Sequence, residues 1–60
     1  MKLLEFKVVN GGTGLILADQ IAGFYENKKL GVGSVLILKS GLELDVKDST
    51  IAIKGMLQGI

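Results

Sequence analysis

Sixty residues and 6.3 kDa allow one small domain, residues 1–60, and the absence of Cys and His removes both the disulfide framework and the zinc site that often hold so short a chain together. Seven Lys against six acidic residues leave a net charge of +1, with no Arg and three aromatics (Phe6, Phe24, Tyr25). That balance speaks against nucleic acid, whose binders concentrate basic charge and stacking rings, while 48% hydrophobic residues exclude a disordered chain.

Leu3 to Val9 alternates as a strand, with Leu4, Phe6 and Val8 on one face and Glu5 and Lys7 on the other. Asn10-Gly11-Gly12-Thr13-Gly14 then reads as a turn, since Asn-Gly supplies the positive φ that a type I′ hairpin needs at both central residues. Leu15-Ile16-Leu17 resumes as a strand. The next stretch reads two ways. Leu17, Ile21, Phe24 and Tyr25 fall at helical spacing, with Asp19 as a start and Gly31 as a stop, yet the same residues also alternate. Residues 19–27 therefore stay open between helix and strand.

Ser34 to Lys39 carries Val35-Leu36-Ile37-Leu38, apolar on both faces, as in a strand covered on both sides. Ser40-Gly41 is expected to form a two-residue turn, after which Leu42, Leu44 and Val46 alternate with Glu43, Asp45 and Lys47. Asp48 or Ser49 suits a helix cap. In the tail, Ala52, Ile53, Met56, Leu57 and Ile60 share a stripe of about 140° at helical pitch, with Ile51 outside it. A strand through Thr50 to Lys54 competes, because Gly55 and Gly59 weaken a helix.

Leu15-Ile16-Leu17-Ala18-Asp19-Gln20-Ile21, followed by Val35 to Ser49 with its Lys39-Ser40-Gly41-Leu42 turn and Val46-Lys47-Asp48-Ser49 exit, resembles the FlbD family of small flagellar-operon proteins and similar small phage and bacterial proteins of unknown function. The likeness covers about two-thirds of the chain and rests on buried apolar and turn positions. It implies that Asp19-Gln20-Ile21 is a short turn leading into a strand, and a flagellar accessory role comes with it. This chain departs from the pattern in its Gly-rich first turn and in the loop from Lys28 to Gly33.

The side chains for catalysis are nearly all missing, so an enzyme is not expected. A nucleophile needs a base and a group to orient that base, and with neither His nor Cys the hydroxyls stand alone in turns and caps. Glu43 and Asp45 share one strand face, as a carboxylate pair for acid-base work or as the solvated side of an amphipathic strand. Gly11, Gly12, Thr13 and Gly14 invite a phosphate-loop reading, but the Gly-Lys-Ser/Thr that should follow is absent, and turn chemistry explains the segment. No metal and no cofactor are implied.

The fold expected is α+β: a small antiparallel β-meander of about four strands with a C-terminal helix. More of the chain is apolar than a monomer of 60 residues readily hides, so the chain is read as a homo-oligomer with part of its core made between copies. The interface candidates are Leu36, Leu38, Ile53, Met56, Leu57 and Ile60. The function expected is a non-enzymatic protein-interaction module, of phage or bacterial origin, that bridges partners or blocks a protein surface. The alternative sequesters a nucleotide or other anion at a subunit interface, with Gly11, Gly12, Thr13 and Gly14 as backbone donors, Lys28 and Lys29 as charge and Tyr25 for stacking. Single-stranded nucleic-acid binding ranks behind both. Met1-Lys2 is followed by two apolar residues before Glu5, and no apolar run exceeds four, so neither a signal peptide nor a membrane span is expected and the cytoplasm is the default compartment.

Overall fold

The structure, a computed structural model, describes residues 2–59. Alternation in Leu3–Lys7 produces strand β1, whose Leu4 and Phe6 are buried while Leu3, Glu5 and Lys7 face outward. It pairs antiparallel with β2 (Thr13–Leu17), Leu3 opposite Leu17 and Lys7 opposite Thr13. A 3-10 turn over Ala18–Gln20 leads into β3 (Ile21–Glu26). β3 pairs antiparallel with β4 (Ser34–Leu38), which pairs in turn with β5 (Glu43–Val46), and helix α1 (Thr50–Gln58) ends the fold. The protein is therefore a small α+β domain with a two-stranded and a three-stranded antiparallel sheet, five strands where about four were expected.

The two sheets are tied where β1 runs on past Lys7. Val8 bridges Val46, the Val9 N–H donates to the Asp45 carbonyl at 3.1 Å, and the Lys47 N–H donates to the Lys7 carbonyl at 2.7 Å. The core lies between the sheets and the helix. Phe6, Leu36, Val46 and Ile53 are fully buried there, with Leu4 nearly so, and half-buried Ile16, Phe24, Leu44 and Met56 pack around them. These residues are buried within a single chain. Leu36 and Ile53, read as interface residues, have no surface left for a partner. Leu38, Met56 and Leu57 are half-buried and pack on the same core, and Ile60 lies outside the described residues.

The ambiguous stretch resolves as a strand. The helical spacing of Leu17, Ile21, Phe24 and Tyr25 loses because Gly23 is a poor helix former and β4 offers a full set of backbone partners. The tail resolves as a helix. The Ser49 hydroxyl caps it by accepting from the Ala52 N–H at 3.1 Å, Ile53 faces the core and Ile51 is 81% exposed. Asp48 does not cap. Its carboxylate instead accepts the Lys7 N–H at 2.9 Å, and its carbonyl accepts the buried Ser34 hydroxyl at 2.7 Å.

Both tight turns differ from the two-residue form. In the first, Gly11 N–H donates to the Val8 carbonyl at 3.0 Å and Val8 N–H to the Gly12 carbonyl at 3.2 Å; in the second, Gly41 N–H donates to Leu38 and Leu38 N–H to Leu42, both at 2.9 Å. Each is a three-residue connection, Val9-Asn10-Gly11 and Lys39-Ser40-Gly41, with positive φ at its final glycine and not at the residue before it. The Asn10-Gly11 and Ser40-Gly41 pairs do locate the turns, one position off in geometry.

Candidate functional site: a concave sheet face and an apolar hairpin face

The outer face of the three-stranded sheet carries the main concavity. One cross-strand row runs Tyr25, Val35, Asp45 and the next runs Gly23, Ile37, Glu43. Val35 forms the floor and is only 7% exposed although it points away from the core, because the β3–β4 loop folds over it. Tyr25, Glu26, Leu30, Lys28 and Lys29 make the walls together with Glu43 and Asp45.

Asn27 holds that loop in place. Its side-chain amide donates to Asp45 Oδ1 at 3.3 Å, its carbonyl oxygen accepts the Leu30 N–H at 3.2 Å, and the residue is 5% exposed. Its backbone completes the frame, donating to the Gly33 carbonyl at 3.1 Å and accepting from Gly31 at 3.0 Å. Gly33 is required on two counts: its φ is +79°, and a Cβ built there would sit 2.3 Å from the Val46 carbonyl oxygen.

Three of the expected ligand residues, Tyr25, Lys28 and Lys29, are thus brought to one depression. Gly11, Gly12, Thr13 and Gly14 are not among its lining residues; they belong to the turn and first half of β2, and Gly14 packs toward Val8 and Leu44. Three carboxylates (Glu26, Glu43, Asp45) face two lysines in the lining, a charge balance that works against a polyanion. Among the described residues no three acidic side chains converge closely enough to hold a metal ion. Asn27, Leu30 and Val35 were not singled out from sequence. Their only signal is an Asn at the start of a loop that ends in Gly31 and Gly33.

A second surface lies on the outer face of the β1–β2 hairpin, where Leu3 and Leu17 are directly opposed and Leu15 lies beside them, opposite Glu5. Leu3 is 54% and Leu15 61% exposed, and Leu17 is half-buried. Sequence reading did not single out this trio, although β2 holds no charged residue at all.

Compared with protein-family models, with curated proteins and with solved structures, the chain gave no match in any of the three. No helix among the described residues is long and apolar enough to cross a membrane.

Proposed function

We propose that this protein is a non-enzymatic, homo-oligomeric interaction module whose contact surface is the outer face of the β1–β2 hairpin. One observation carries the reading: the core is closed within a single chain, yet leucines stand adjacent and exposed at Leu3 and Leu15 on one small face. An apolar cluster left outside a complete core stabilises nothing in the monomer, and covering it removes its area from water at about 25 cal/mol per Å². Glu5, Lys7 and Thr13 rim the same face, the polar border usual around an interface centre.

The measurement that tests it is solution mass by light scattering across a dilution series. A dimer or higher oligomer that dissociates on dilution is the expected result. A 6.3 kDa particle at every concentration up to millimolar overturns the reading.

A further inference from the structure

The outer edge of β2 is open, and its unpaired groups form a self-complementary set about Leu15. In an antiparallel pair, residues alternate between those bonded to the partner strand and those whose N–H and C=O point away from it. Two bonds fix the phase here. The Val8 N–H donates to Gly12, and the Ala18 N–H donates to Lys2, so the even-numbered residues of β2 turn inward to β1. Thr13 and Leu15 therefore direct their N–H and C=O groups, and Leu17 its N–H, to the open side, where no other strand pairs with β2 among the described residues; the Leu17 carbonyl opens the 3-10 turn.

We propose that a second copy of this chain occupies that edge, β2 pairing antiparallel with β2 of its partner about a two-fold axis through Leu15; the proposal rests on the oligomeric reading above. In that register Leu15 faces the same residue of the other copy and Thr13 faces the other copy's position 17. The central pair exchanges two hydrogen bonds, and each flanking pair gains the bond from the position 17 N–H to the Thr13 carbonyl. The leucines at positions 3, 15 and 17 of both copies then join into one apolar surface across the axis.

A second copy suits this edge better than any other site on the molecule. Like charges facing each other across a two-fold are destabilising, and Thr13–Leu17 has none. It also lacks the devices that blunt a free edge, namely a charge, a proline or a bulge. The other outer strands have them: the register of β3 slips between Ile21 and Gly23 and Glu26 ends it, β1 carries Glu5 and Lys7, and β5 carries Glu43 and Asp45. A five-residue edge with a few leucines falls at the small end of interface sizes, so the dissociation constant expected is on the order of micromolar.

The chain has no cysteine, so single substitutions report the register directly. Directly opposed, hydrogen-bonded residues lie about 5.5 Å apart at Cα, within disulfide reach, whereas two copies of Thr13 would be about 13 Å apart. Under mild oxidation Leu15→Cys is expected to give a covalent dimer, Thr13→Cys alone to give none, and Thr13→Cys with Leu17→Cys to give one again. Leu15→Lys is expected to weaken association at least tenfold in light scattering with the circular dichroism unchanged, and Leu42→Lys, beside the β4–β5 turn and outside the proposed edge, to leave it intact. Cross-linking through Thr13→Cys but not Leu15→Cys overturns the register, as does a dimer that Leu15→Lys leaves unaffected; in both cases the oligomeric reading stands. A wild-type protein monomeric at all concentrations overturns both.

Discussion

Gly33 is the residue whose replacement the fold tolerates least. Two penalties combine there, the cost of a side chain at φ +79° and a collision with the Val46 carbonyl oxygen, which is itself fixed in β5. Gly41 separates the two, because its φ is +95° but a Cβ there meets nothing within 4 Å. Gly41→Ala should therefore cost about 1 kcal/mol, from backbone strain alone. Gly33→Ala should cost roughly 2–4 kcal/mol, since β4 or β5 must also move. Urea unfolding of the two variants beside the wild type checks this. Equal losses would mean that the close approach to Val46 carries no weight. For a chain of this length, whose whole stability is only about 3–9 kcal/mol, the larger loss leaves a visible unfolded fraction in water.

Among the elements, α1 depends on packing more than on its own propensity. Nine residues with Gly55 inside are too few to persist alone, so the Ser49 cap and the burial of Ile53 hold the helix. Ile53→Ala should cost about 2–4 kcal/mol, while Ile51→Ala, 81% exposed on the opposite side, should change stability by less than about 0.5 kcal/mol. Chemical denaturation followed by far-ultraviolet circular dichroism measures both. A large loss at Ile51 would show that this face is covered too. The contrast between these isoleucines was readable in the sequence, because helical pitch alone separates positions 51 and 53. So were β1, β5 and the places of the tight turns, where alternation and Asn-Gly or Ser-Gly pairs act locally. The path of residues 18–26 was not readable in that way, since β4 decides it from eight to seventeen residues away. The concavity was half readable: Tyr25, Lys28 and Lys29 are conspicuous, but Asn27 ties the loop to the sheet through Asp45, eighteen positions along the chain. The burial of Leu36 and Ile53 within one chain was unreadable for a related reason. Sequence marks a residue as apolar without saying whether its own chain or another one covers it.

At the scale of the molecule, the surface is generous for the mass. The chain exposes 4068 Å², against about 3,700 Å² for a compact monomer of this size. The surplus does not come from an unfinished interior, since Phe6, Leu36, Val46 and Ile53 are all at 0% exposure. The proposed association would consequently be separable from folding, adding to a core that one copy already buries. Thermal unfolding at several protein concentrations distinguishes this from an obligate oligomer. Association confined to the native state stabilises it by about 1 kcal/mol at subunit concentrations tenfold above Kd, where dimerisation leaves free subunit at about twice Kd. For a domain this small that corresponds to roughly 4–8 °C in Tm. Wild-type Tm should climb by that amount as concentration rises through Kd, whereas the Tm of Leu15→Lys should stay flat at the dilute wild-type value. A Leu15→Lys protein that is unfolded where the dilute wild type is folded would mean that the single-chain core is insufficient, and the two processes would then be one.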